Sequence, residues 1–229
     1  MIKRICGYLA SLAIGLMLMQ SVRAETKVDY QAMIRDVELV NKSADQLVLS
    51  FWMPAEFWRV SLTSSGRMTP QGIDDFVKVL QPYTLIAVLQ GKTGIGTIDY
   101  REPDDLGQVV TIEDARGNVY KPLAPSDVDP AMKSIVQAMK PMLANMLGNM
   151  GSHMQFLYFP ALSKDGQRIA DPTKEGSMTV HFENTPLRYR LPLGCFLPPA
   201  VDSKTGEQFP GNYHYNPFTG GKLVLGDQK

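Results

Sequence analysis

An α+β fold, with antiparallel strands packed against one long amphipathic helix, is what this chain predicts, and three features predict it. Short apolar segments flank turn signals at Gly91-Lys92-Thr93-Gly94, Ala115-Arg116-Gly117-Asn118 and Lys164-Asp165-Gly166, a hairpin spacing. One longer stretch, from Asp129 to about Met150, carries a helical period. At 229 residues, 44% apolar and 20% charged, the composition is that of a globular chain, neither disordered nor membranous.

In chain order, Val28 to Val40 mixes apolar and charged residues without a clean period, and its second half reads as a strand. Residues 46–52 form a firmer strand that Met53-Pro54 ends, and Pro54 suits the opening of a short helix through Trp58. A helix begins at Thr69, which can cap, with Pro70 setting the first dihedral and Asp74-Asp75 favouring the positive end of the dipole. Ile73, Phe76, Val77 and Leu80 share its apolar face. Residues 83–89 and 95–100 then read as one hairpin, and 109–113 with 119–120 as a second. After the long helix, residues 154–159, 178–182 and 187–191 read as strands, the last pairing with one of the other two.

Residues 1–24 read as an address rather than as structure. Met1-Ile2-Lys3-Arg4 is a cationic start, Ile5 to Met19 is uncharged and mostly apolar, and Val22-Arg23-Ala24 offers a signal peptidase site. The apolar run is shorter than the roughly 20 residues a spanning helix needs. The expected organisation is a signal peptide over 1–24, an α+β domain over 25–197 and a small tail over 198–229, the mature protein working in the periplasm or outside the cell with no transmembrane segment. Losing Lys3, Arg4 and Arg23 leaves 20 basic against 23 acidic residues, and no run of five basic residues occurs, which argues against nucleic acid. Cys6 falls in the leader, at the wrong end of the apolar run for lipidation, so Cys195 stands alone and no internal disulfide forms.

The tail holds the most specific pattern. Asp202-Ser203-Lys204-Thr205-Gly206 is followed by Asn216-Pro217-Phe218-Thr219-Gly220, with Tyr213 and Tyr215 before the second pentapeptide and Leu223 after it. This resembles a zinc ribbon whose four cysteine ligands are gone, with Asp202, Thr205, Asn216 and Thr219 at the ligand positions. The resemblance covers about 24 residues and implies a ribbon-like hairpin. Asn and Thr are poor zinc ligands, so no zinc is expected, and each knuckle is expected to persist as a hydrogen-bonded turn. The plain alternative is a pair of ordinary turns in a hairpin.

Six methionines fall between 132 and 154: Met132, Met139, Met142, Met146, Met150 and Met154. At about 100° per residue they occupy an arc of roughly 120°, on the side of Ile135, Val136, Leu143 and Leu147, with Lys133, Gln137, Lys140 and Asn145 opposite. Pro141 lies on the polar side, where it should bend the helix. Three readings compete: a core face filled by flexible thioethers; a face at Met139, Met142, Met146 and Met150 that receives a protein or lipid partner; and a Cu(I) or Ag(I) site from Met146, Met150, His153 and Met154, should the helix continue past Gly151.

Catalytic signals are thin. Gly91-Lys92-Thr93 lacks the first glycine of a phosphate loop, and no Gly-x-Ser-x-Gly or His-Glu-x-x-His occurs. Cys195 with His181 or His214 would make an envelope hydrolase, but its apolar neighbours would raise the thiol pKa. The acidic pairs Asp74-Asp75, Asp104-Asp105 and Glu113-Asp114 each read as helix-start or turn residues. No cofactor is expected, and the chain reads as a non-enzymatic binding or interaction protein.

Overall fold

The computed structural model describes residues 28–226; the segment read above as a signal peptide, with Cys6, lies outside the described residues, as do residues 227–229. The chain runs α1 (Tyr30–Val37), β1 (Glu38–Lys42), β2 (Gln46–Trp52), α2 (Ala55–Ser65), α3 (Pro70–Leu80), β3 (Tyr83–Thr93), β4 (Ile98–Tyr100), α4 (Pro103–Val109), β5 (Val110–Asp114) and β6 (Val119–Tyr120). It continues through α5 (Pro130–Leu147), α6 (Asn149–Ser152), β7 (Gln155–Pro160), β8 (Gly176–Phe182), β9 (Thr185–Leu191), β10 (Ala200–Asp202), β11 (Gln208–Phe209) and β12 (Leu223–Leu225). Among the described residues all strand pairings are antiparallel, so the fold is α+β and rich in antiparallel sheet.

The first sheet is built on β3, whose residues from Thr84 to Leu89 are all buried. On one side it pairs with β2 and then β1; on the other, β7 covers Tyr83 to Val88 and β4 covers Gly91 to Thr93. The second sheet has the order β6-β5-β8-β9. A continuous apolar core joins the two, from Met33 and Val37 through Trp52, Ile86 and Phe159 to Met178 and Tyr189. The tail forms a third, small sheet of order β11-β10-β12 around Ala200, Phe209 and Leu223.

Several local expectations change. The segment read as mixed, then strand, is a helix up to Val37, because the Asp29 carboxylate caps it by accepting from Gln31 N–H (3.1 Å) and Ala32 N–H (3.2 Å) while Met33 and Val37 enter the core. The helix opened by Pro54 runs on to Ser65. Asp104 and Asp105 lie in the first turn of α4, not beside a turn. Gly91-Lys92-Thr93 belongs to β3; the turn falls at Gly94, whose N–H donates to Thr97 O at 2.9 Å. Met33, Met132 and Met178 are fully buried, so thioethers fill gaps in the core from α1, the long helix α5 and the second sheet.

Candidate ligand groove

Helix α5 has its start fixed twice. The Asp129 carboxylate accepts from Ala131 N–H at 2.7 Å, and the Asp129 N–H donates to the Tyr83 hydroxyl at 2.9 Å. The start of the helix is therefore fixed beside the start of β3, with Met132, Val136 and Met139 in the core. Met139 is 7% exposed and Met150 is half-buried against the same core. The side chains of Met142 and Met146 lie outside the described residues. Where it is described, the methionine stripe packs inward as a core face.

The open side of α5 is its flank. Lys133, Val136 and Lys140, spaced along one stripe, form one wall of a groove of about 790 Å³. Asp104, Gly107 and Gln108 of α4 form the facing wall, Lys121 to Pro125 close one end, and β7 supplies the floor through Phe156 and Leu157. A further recess, of about 480 Å³, shares Asp104, Lys140 and Gln155 with it and carries the groove on past Ala144 to Gly151 and Ser152. Three lysines thus face one carboxylate over an apolar floor. Lys133 donates to Pro125 O at 3.1 Å, whereas Lys121 and Lys140 have no hydrogen-bond partner among the described residues. Tyr158, at the edge of the floor, has its phenol pKa raised by burial and by neighbouring Tyr83.

A smaller cleft of about 480 Å³, between the start of α2 and the ends of β3 and β7, is lined by Trp52, Pro54, Tyr83 and Leu162. Its charges are already spent on one another: Arg168 meets both oxygens of Glu56, at 2.7 and 3.3 Å, and lies 3.7 Å from Asp171. Nothing charged remains to orient a ligand there.

The other candidates resolve individually. Cys195 is partly buried; its N–H donates to Asp36 Oδ2 at 2.6 Å, and its Sγ lies 3.6 Å from the Met33 sulfur. Burial and the Asp36 charge drive the thiol pKa far up, away from a nucleophile's range. His181 is engaged with Glu113 at 2.9 Å across β5 and β8, and His214 is exposed in the tail. Helix α5 ends at Leu147, and Gly148, at φ 59° and ψ −134°, turns the chain into the separate α6. The unbroken helix that would align Met146 with Met150 is absent, while Met154 is buried and His153 stacks on Tyr100 with ring centroids 4.5 Å apart. Among the described residues, no three His, Cys, Asp or Glu side chains cluster as metal ligands.

In the tail, Asp202 Oδ1 accepts from Lys204 N–H and Asn216 Oδ1 from Phe218 N–H, each at 2.9 Å. Gly206 and Gly220, at φ 75° and 71°, return their N–H groups to the Asp202 and Asn216 carbonyls at 2.8 Å. The Asn216 amide donates to Asp202 Oδ2 at 2.8 Å, joining the turns; both residues are buried. The tail is thus a three-stranded sheet, since residues 208–209 also return on β10.

Lys133 and Lys140 were readable as a polar stripe, but their partners Asp104, Lys121 and Phe156 come from three other segments that only the fold brings near. Among the described residues no helix is long and apolar enough to cross a membrane. No family model, curated protein or solved structure matches this chain.

Proposed function

We propose that this is an exported, non-enzymatic binding protein whose ligand site is the groove between α4, α5 and β7. The observation that carries the reading is the groove's composition: unpartnered Lys121 and Lys140 beside Lys133, one opposing carboxylate, and an apolar floor of Phe156 and Leu157. Concave apolar surface with a few convergent charges is the general form of a ligand site. Its ligand is anionic with an apolar body, because charge of that sign finds unpaired ammonium groups while the rest displaces water from the floor. The leader-like composition of residues 1–24 supports export to the periplasm or beyond. The tail reads as a metal-free ribbon, a reading supported by the Asp202–Asn216 bond at the point where a ribbon's metal would join its knuckles.

An anionic, apolar dye such as anilinonaphthalene sulfonate tests the site. The native protein should enhance its fluorescence saturably, and replacing Lys121 and Lys140 together by alanine should weaken binding roughly tenfold, the equivalent of one lost charge-assisted contact. Binding unchanged in that variant would place the site elsewhere.

A further inference from the structure

The outer edge of β7 is unfinished. Successive strand residues turn their N–H and C=O groups to alternate sides. Met53 N–H donates to Leu85 O at 2.9 Å, so Leu85 faces β2 and its neighbour Ile86 faces β7. Leu157, paired with Ile86, faces back, and Phe156 and Tyr158 on either side of it therefore face outward. The bond from Leu123 N–H to Tyr158 O, at 2.7 Å, lies on that outward side. It is the one backbone bond on this edge among the described residues, which leaves Phe156 N–H, Phe156 C=O and Tyr158 N–H unpaired. Both residues line the groove, and Phe156 is otherwise buried, at 4% exposure. Unpaired backbone groups in a buried position are rare and costly, and an incomplete strand edge is a template for another strand.

We infer that the groove receives an extended, carboxylate-bearing segment of a partner polypeptide, which adds as a strand to β7 beyond Leu123. This rests on the groove being the ligand site. The chain's own neighbouring segment leaves the Phe156 C=O without a donor, because Pro125, two residues on from Leu123, has no N–H. The added segment satisfies Phe156 and Tyr158 through its main chain, and its carboxylates meet Lys121, Lys133 and Lys140. Main-chain bonds supply affinity in this mode and side-chain pockets supply selection. The recess past Ala144 lets the segment continue toward Gly151.

A blocked hexapeptide of alternating glutamate and valine tests this, beside the same peptide N-methylated on alternate amides, a lysine–valine counterpart and anionic lipid vesicles. Titration by isothermal calorimetry is combined with amide hydrogen exchange. The glutamate peptide should bind and slow exchange at Phe156 and Tyr158, while N-methylation or the lysine sequence should weaken binding at least tenfold. Gly107→Leu should weaken it to the same degree by filling the groove. A side chain is accommodated at Gly107, where an added Cβ meets only Leu157 Cδ2, at 3.9 Å.

Equal binding of the methylated peptide without protection at Phe156 overturns strand addition. Absence of peptide binding while the dye still binds also overturns it and leaves the groove as the site. Loss of both removes the groove reading as well, and binding of vesicles alone replaces the peptide with a lipid.

Discussion

The side chain of Asp114 is 2% exposed, and it accepts from the N–H groups of Arg116 and Asn118, the Asn118 amide, the Tyr120 hydroxyl and the Arg116 guanidinium. Arg116 reaches on to Asp165 at 2.6 Å and Gln167 at 3.2 Å, so one carboxylate ties the β5–β6 hairpin to the turn before Gln167. Burial alone would raise its pKa. The bonds from Asn118, Tyr120 and Arg116 outweigh that and hold it well below the usual carboxylate range. Asp114→Asn keeps the shape but turns an NH₂ toward donors, which should cost about 2–3 kcal/mol at pH 7. Because the folded pKa is depressed, this contribution is complete above the unfolded value of about 3.9 and is lost as pH falls through it toward the folded value. Urea midpoints of wild type and variant should therefore differ by a constant gap from pH 7 to about pH 5, and the gap should narrow at pH 3. A gap unchanged at pH 3 would mean that the charge is not what the hairpin uses.

Among the elements, α5 separates core-facing from groove-facing positions on one helix. Met132 is fully buried and Lys140 is exposed on the groove wall. Met132→Ala should cost about 2–5 kcal/mol and Met132→Leu less than about 1.5 kcal/mol, while Lys140→Ala should move stability by no more than about 0.5 kcal/mol. Urea unfolding of the three variants checks this, and a stability loss at Lys140 matching that at Met132 would contradict the division. The elements legible in the sequence are those whose signals are local. β2 occupies residues 46–52, the short apolar run that Met53-Pro54 ends, and α3 starts at Pro70 because the Thr69 hydroxyl accepts from Gly72 N–H at 3.1 Å. Helices α1 and α4, at eight and seven residues, give too few periodic positions, and Gly107 weakens the second further. Gly91 looked like a turn residue but sits opposite Tyr100 in the ladder, where an added Cβ would crowd Ile98 and Asp99. The methionine periodicity on α5 was visible; that its described part faces a core, with the groove on the flank, depends on where β7 lies.

At the scale of the whole molecule, Tyr189 is a buried polar link between the two large sheets. It belongs to β9, yet its hydroxyl lies 2.9 Å from Ser50 Oγ, 3.0 Å from Ser50 O and 3.1 Å from Val37 O, and its ring meets Trp52 edge-on at 5.5 Å. One hydroxyl proton serves either carbonyl while Ser50 Oγ donates in return, so three elements (β2, β9 and the end of α1) share one buried group. Burial raises the phenol pKa far above its ordinary value, and the group stays neutral across the physiological range. Tyr189→Phe keeps the ring and leaves buried acceptors unpaired, at a cost of about 1–3 kcal/mol. With one core running through both sheets, that loss should be shared. The urea midpoint should fall with an unchanged slope, and the transitions read by the fluorescence of Trp52 and Trp58 and by far-ultraviolet dichroism should stay coincident. The tail's core holds only Ala200, Phe209 and Leu223, too little apolar surface to fold alone, so its amide protection should fall with that of the sheets. Were the two optical transitions to separate in the variant, the sheets would be independent units and Tyr189 a local contact.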